Sequence, residues 1–186
     1  EPAPRFMSRM DNMDWVEWVN GTGEEKFTLL PVRADYAEHI EKDKINIIDW
    51  INLDAGSLYG ISAVMENIKR ELGRGIAIIS LQKGEGAEAG RGGQFTKDFA
   101  DLEILVDKYG EYGEILMRVG KVKEYKQPVT GRTFAYRLDH GVQIRDFREV
   151  VKCKACYGKG YRNGKPCDDC NTKCYVDKES KWTGEL

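Results

Sequence analysis

Residues 44–49 read Lys-Ile-Asn-Ile-Ile-Asp, and residues 75–82 read Gly-Ile-Ala-Ile-Ile-Ser-Leu-Gln. Between these two apolar stretches, apolar side chains recur every three or four residues from Ser57 to Leu72. That spacing is typical of a helix with one apolar face. A strand, a helix and a second strand in this order predict a β-α-β unit of a parallel sheet.

A glycine-rich loop follows the second strand, and it is longer than a structural connection requires. Beyond it, short apolar segments separated by turn residues predict an antiparallel meander. The strands predicted there cover residues 101–107, 114–123, 132–138 and 142–144. A short strand is also expected at residues 27–32. The predicted fold class is therefore α/β, with parallel strands and helices continuing into an antiparallel meander.

Composition and charge favour a globular chain with one domain of ordinary size and a second, much smaller one. The 186 residues are 41% hydrophobic and 32% charged, and no apolar run approaches the length that spans a membrane. No secretory signal precedes the first segment, so we expect a soluble, cytoplasmic protein with no membrane partner.

Positive charge is concentrated in two places, although the net charge is −2. Residues 118–137 carry six Arg or Lys against one Glu, and residues 145–178 carry nine against five Asp or Glu. This asymmetry favours a face for polyanions on the C-terminal half. Ordinary solvated lysines are the alternative.

All five cysteines lie between residues 153 and 174, which indicates a metal site rather than disulfides in an intracellular chain. Four of them form two C-x₂-C pairs separated by ten residues: Cys153, Cys156, Cys167 and Cys170. Two such pairs complete a tetrahedral site for a structural Zn²⁺, with redox thiols or an iron centre as alternatives. Cys174 is left as a free thiol or an alternative ligand. The glycines between the pairs let the chain fold back as a small zinc ribbon, and the run at 153–160 resembles one DnaJ-type zinc repeat.

The order of features along residues 44–145 resembles the C-terminal part of the RecA/DnaB family of recombinases and hexameric helicases. Asp49 ends the first strand, Gln82 ends the second, a glycine-rich loop follows, and a basic strand comes next at residues 119–123. The resemblance implies that Asp49 is the catalytic carboxylate that holds hydrated Mg²⁺. It also implies that Gln82 is the catalytic-site sensor of the phosphate state.

The same resemblance implies two further sites. The loop would bind single-stranded DNA through Lys83, Arg91, Gly92, Gly93 and Gln94. Lys121 and Lys123 would reach the ATP of a neighbouring subunit in a ring or filament of identical chains. The function predicted in this way is a DNA-dependent RecA-like ATPase, either a replicative helicase or a recombination factor.

The sequence departs from that family in two ways: its phosphate-binding motif is absent, and no residue can be assigned to its catalytic glutamate. The phosphate-binding motif G-x-x-x-x-G-K-[ST] does not occur in these residues. We therefore expect the motif upstream in a longer protein, and no ATP hydrolysis by this chain alone. The predicted organisation is a partial RecA-like core at 1–147, a zinc ribbon at 148–178 and a tail at 179–186.

Each assignment has a simpler alternative. An aspartate often ends a strand, a glycine-rich loop can be a surface linker, and exposed lysines are common on edge strands. The alternative function is a non-enzymatic nucleic-acid-binding or assembly module that uses the basic zinc ribbon.

Overall fold

The computed structural model describes residues 3–51, 60–84, 87–110 and 113–178. The chain divides into two compact units. We call Trp18–Leu105 the α/β unit, and Glu1–Glu17 together with Val106–Leu186 the sheet unit. The helices are α1 (Ala3–Asp11), α2 (Ile61–Glu71), α3 (Gln94–Phe99) and a 3₁₀ turn at Tyr36–His39. The strands are β1 (Ile45–Ile48), β2 (Ile76–Ile79), β3 (Leu102–Lys108), β4 (Glu114–Val122), β5 (Thr133–Asp139), β6 (Gln143–Lys152), β7 (Tyr161–Arg162), β8 (Lys165–Pro166) and β9 (Tyr175–Asp177).

In the α/β unit, β1 and β2 pair in parallel, with α2 between them in sequence. The register joins Ile45 to Ile76 and continues through Ile48 and Ile79. This confirms the predicted strand, helix and strand within the described residues. Ser57 and the first turn of the predicted helix lie outside the described residues.

One face of the parallel pair packs on the core of the α/β unit. Ile48, Ala77 and Ile79 pack against a buried cluster that includes Ile61 and Ile68. These two isoleucines lie seven residues apart on one side of α2, as helical periodicity requires, and each is 1% exposed. Apolar burial on this face contributes to the stability of the unit.

The other face of β1 and β2 is apolar and exposed. Its four isoleucines, at 55–72% exposure, are Ile45, Ile47, Ile76 and Ile78. Side chains alternate along a strand, so this face comes from the odd residues of β1 and the even residues of β2. The parallel pair is thus covered on one face only, within the part of the chain that the structure describes.

The sheet of five strands has the order β3-β4-β5-β6-β9. The pairs β4-β5 and β5-β6 are antiparallel, as the predicted meander requires. β9, a strand that was not predicted, pairs antiparallel with β6. Its buried cluster contains Tyr109, Ala135 and Val150. The first four residues of β3 fall in the α/β unit, because the division between units lies after Leu105.

Two local predictions differ from the structure. Residues 27–32 form no strand, and Pro31, next to their last position, has no N–H to give to a ladder. The end of the glycine-rich loop, in contrast, folds into α3. The RecA-like arrangement of the whole core remains a prediction, as do the boundaries at 147 and 178; β6 crosses the first of these positions.

None of the helices in the described parts of the chain combines the length and apolarity that a membrane crossing requires.

Candidate metal centre

The four cysteines of the two C-x₂-C pairs converge on one point. Their sulfur atoms all lie within 4.8 Å of one another, and each residue is at most 5% exposed. The Sγ atoms of Cys153 and Cys167 are 3.9 Å apart, and those of Cys156 and Cys170 are 3.6 Å apart. Four sulfurs at about 2.3 Å from a tetrahedral zinc ion would be separated by about 3.8 Å. The predicted residues therefore form a cluster that could hold a metal ion such as zinc.

Local hydrogen bonds build the same turn around each pair. Gly158 N–H donates to the Cys153 carbonyl at 3.1 Å, and Thr172 N–H donates to the Cys167 carbonyl at 3.4 Å. Lys159 N–H bonds to the Cys156 carbonyl at 3.0 Å in the first turn. The equivalent bond in the second turn runs from Lys173 N–H to the Cys170 carbonyl at 2.9 Å. The two turns are thus equivalent, and each presents two thiols to the same point.

The backbones of the two turns approach each other closely at Gly160. Its N–H donates to Cys156 Sγ at 3.3 Å, and a Cβ added here would lie 2.7 Å from the Thr172 carbonyl oxygen. Its φ of +75° also lies where side chains are strained. Only glycine satisfies both conditions.

The thiols differ in their ease of ionisation. Burial raises the pKa of Cys167 and of Cys170, because a buried thiolate loses its hydration. Burial acts on Cys156 in the same direction, but hydrogen bonds from Gly160 N–H and the other thiols outweigh it and lower the Cys156 pKa. A bound cation would stabilise all four thiolates and remove the cost of burying them.

The sheet holds residues 152–178, which we call the metal module, at both ends. Cys153 follows β6 directly, and its N–H donates to the Cys174 carbonyl at 2.9 Å, just before β9. β9 then pairs with Val150, Val151 and Lys152 of β6. The chain therefore leaves the sheet after β6, forms the two cysteine turns, and returns to the sheet at β9 beside β6.

Charged side chains reinforce this attachment. Arg148 on β6 bonds Glu114 on β4 at 2.8 Å and Asp177 on β9 at 2.8 Å. Lys173 of the second turn bonds the other oxygen of Glu114 at 3.0 Å. Sequence reasoning missed this network, although the alternating charges of residues 145–149 were a signal that could have drawn attention to Arg148.

Cys174 lies outside the four-sulfur cluster. Its thiol is half-buried and donates to the Thr172 carbonyl at 3.4 Å. Among the described residues, the cluster of four is thus complete without Cys174.

The structure places Asp49 and Gln82 beyond the carboxyl ends of β1 and β2. The backbone N–H of Ser80 donates to the Ile48 carbonyl at 3.0 Å, and the Ser80 carbonyl accepts from Ile51 N–H at 3.3 Å. Asp49 lies in the chain between these two hydrogen-bonded residues, Ile48 and Ile51. Both Asp49 and Gln82 are exposed. The two predicted catalytic side chains therefore follow adjacent strands of one sheet.

The loop residues have structural contacts of their own. The Lys83 ammonium donates to the carbonyls of Gly84 at 3.3 Å and Ala87 at 3.2 Å. Arg91 is exposed, and its N–H donates to the Gln82 carbonyl at 2.7 Å. Gly92 and Gly93 precede α3, and Gln94 is its first residue.

The predicted basic pair lies in the sheet unit. Lys121 is half-buried near the end of β4, and Lys123 is exposed just past that strand. Since the two residues are two apart, they lie on the same side of an extended chain.

Searches with the sequence and the structure found no family that matches the chain, no curated protein and no solved structure. The fold and site therefore define a mixed α/β chain with a four-cysteine cluster suited to a metal ion.

Proposed function

We propose that this chain is part of a DNA-dependent, RecA-like ATPase, a replicative helicase or a recombination factor. ATP lies between identical subunits of a ring or filament, Asp49 binds a water of the Mg²⁺ ion, and Gln82 responds to the phosphate. Lys121 and Lys123 reach the ATP of the adjacent subunit. The loop residues Lys83, Arg91, Gly92, Gly93 and Gln94 form the single-stranded-DNA site.

The observation that carries the proposal is the parallel pairing of β1 with β2. Parallel strands in register bring their carboxyl ends to one edge of a sheet, and ligands of open α/β sheets bind at that edge. Asp49 and Gln82 follow those ends, and a carboxylate and an amide suit a hydrated Mg²⁺ and a phosphate.

The exposed isoleucine face of β1 and β2 also supports the proposal. Parallel sheets are usually covered on both faces, and four exposed isoleucines on one small sheet form an apolar surface that water disfavours. A larger α/β core, of the RecA-like kind, would cover this face with further elements.

The test is ATP hydrolysis by the product of the whole gene, with and without single-stranded DNA. We expect stimulation by DNA and a loss on the order of 100-fold in Asp49→Asn, because positioned charges provide most of the catalysis of phosphoryl transfer. Asp14→Asn is the matched control, since Asp14 is an exposed aspartate outside the β1-β2 pair.

Two results would contradict the proposal. One is full activity in Asp49→Asn, and the other is ATP turnover by the 186-residue chain alone, which has no phosphate-binding loop.

A second candidate function is a non-enzymatic nucleic-acid-binding or assembly module. It is favoured by the exposed cations of the metal module.

A further inference from the structure

The first half of the metal module carries charge of only one sign, which is positive. Residues 152–166, which we call the ribbon surface, contain no Asp or Glu. Their five cations are all exposed: Lys152, Lys154, Lys159, Arg162 and Lys165. Throughout the parts of the chain that the structure describes, none of the five has an ion-pair partner. Lys173 and Lys178, farther along the module, are instead paired with Glu114 and Glu149.

Two of these cations face each other across a hairpin. β7 and β8 pair Arg162 with Lys165, and Asn163 and Gly164 form the turn with φ of 52° and 75°. Like charges that are directly opposed in an antiparallel pair destabilise it. A polyanion bound across the hairpin would convert this repulsion into attraction.

Tyr157 occupies a position that does not suit a tyrosine. It has a φ of 54° and is 81% exposed. The equivalent position of the second turn is Asn171, with a φ of 47°. Asparagine tolerates this left-handed conformation far better than a bulky residue does. Since the ring is almost fully exposed, packing within the chain does not offset the strain.

A second ring lies four residues farther along. Tyr161 on β7 is 57% exposed and pairs with Pro166. The ribbon surface therefore offers two exposed aromatic rings and five cations that have no ion pair within the described residues. This combination is what proteins use to bind single strands, with phosphates on the cations and bases stacked on the rings.

We propose that the ribbon surface binds single-stranded nucleic acid. Arg162 and Lys165 contact the phosphates, and bases stack on Tyr157 and Tyr161. A single strand fits better than a duplex because only unpaired bases expose faces for stacking. The inference rests on the second candidate function, for which it names the ligand and the residues. It is independent of the ATPase proposal, since it uses none of the residues assigned to ATP or to the glycine-rich loop. Asp168 and Asp169, both exposed, follow this segment in the sequence and belong to the second turn.

The first test measures the binding of the zinc-loaded chain to a fluorescent oligothymidylate by anisotropy, over a range of salt concentrations. Affinity falls with salt, so the slope of log affinity against log salt is negative. Removing two phosphate contacts in Arg162→Ala/Lys165→Ala should make this slope shallower by about 1.4. The same change in slope corresponds to a loss of affinity on the order of 20-fold at about 0.1 M salt. Lys42→Ala/Lys69→Ala is the matched control, because it removes two exposed cations of the α/β unit. Zinc content, measured for each variant, shows that the module is intact.

The second test separates stacking from charge. Tyr157→Ala should weaken binding about tenfold without changing the salt slope, and Tyr157→Phe should restore it because the ring remains. Equal affinity for duplex DNA, or binding to vesicles of anionic lipid but not to the oligonucleotide, would overturn the inference.

A third variant separates this site from the glycine-rich loop. If Lys83→Ala/Arg91→Ala abolishes binding while the ribbon variants bind normally, the ribbon inference is wrong and the loop assignment stands. If the ribbon variants lose binding and ATP hydrolysis is never observed, the ribbon inference stands and the ATPase proposal fails.

Discussion

Gly160 and Gly164 of the metal module share one backbone conformation but differ in their surroundings. Both have a φ of +75°. A Cβ at Gly160 would meet the Thr172 carbonyl oxygen at 2.7 Å, whereas a Cβ at Gly164 would have no atom within 4 Å. The pair therefore separates the effect of backbone strain from that of close packing.

Gly160→Ala should weaken zinc binding and destabilise the module more than Gly164→Ala does. Both changes introduce strain of about 1–2 kcal/mol, and only the first also pushes the two turns apart. Competition for zinc with a chromogenic chelator measures the difference. Equal effects of the two alanines would show that the close approach at Gly160 has no role in the site.

Glu149 on β6 is the most strongly perturbed carboxyl group among the described residues. Its two oxygens accept hydrogen bonds from Arg132 at 3.0 and 2.8 Å, and Lys178 bonds one of them at 3.0 Å. The bond with Arg132 is the main cause that lowers the pKa of Glu149 to about 2, from an ordinary value of 4.5. Because the folded pKa is depressed, Glu149 stabilises the fold above about pH 4.5 and loses this effect as the pH falls toward 2.

Glu149→Gln should therefore lower the free energy of unfolding at pH 7 by about 1–2 kcal/mol. This magnitude allows for solvent screening, since the Arg132 side chain is 38% exposed. The difference between wild type and variant should shrink as the pH falls below about 4.5. Urea unfolding of the zinc-loaded proteins at several pH values measures it, with the exposed Glu124→Gln as control. A difference that does not depend on pH would contradict the assignment.

At the scale of elements, α3 depends on one glycine of the preceding loop. A Cβ on Gly92 would lie 2.7 Å from Thr96 Cγ2 and 2.8 Å from Ile61 Cγ2, and its φ is +90°. Thr96 and Ile61 are both buried, so neither side chain can move away easily. Gly92 thus permits the contact between α3 and α2, whether or not it also binds DNA.

Gly92→Ala should destabilise the α/β unit by about 2 kcal/mol or more relative to Gly93→Ala, because overpacking is added to strain. Gly93 is the matched control: its φ is +54°, and no atom lies within 4 Å of an added Cβ. Thermal unfolding of both variants measures the difference. Similar melting temperatures would mean that α3 shifts without cost.

At the scale of the molecule, the α/β unit and the metal module rely on different sources of stability. The α/β unit has a core of aliphatic and aromatic side chains around Ile61 and Ile68. The buried cluster of the metal module consists of the four cysteines, with Ala155 and Val176 packed against them. We therefore expect a module with so little apolar core to need a bound metal ion to fold.

The chain should bind one equivalent of zinc, and a chelator should selectively unfold the metal module. Hydrogen exchange should then show loss of protection in β9 and retention in β1 and β2. Cys170→Ser should reproduce the effect of the chelator, whereas Cys174→Ser should still bind one equivalent. Protection of β9 that is unchanged by metal removal would show that the module folds without metal.

The sequence by itself determined the features that depend on near neighbours. The spacing of Cys153, Cys156, Cys167 and Cys170 located the cluster, because each turn is closed by hydrogen bonds within five residues. Likewise, the periodicities of residues 45–79 were enough to predict the order of β1, α2 and β2.

Only the tertiary structure decided the features that join distant parts of the chain. Arg148 meets Glu114, 34 residues away, and Asp177, 29 residues away, and local pattern carries no information about such pairs. The need for glycine at position 92 likewise depends on Ile61, a residue of another helix. The exposure of one isoleucine face was also hidden from the sequence. An apolar pattern shows which residues can be buried, and the packing of other elements decides which of them are.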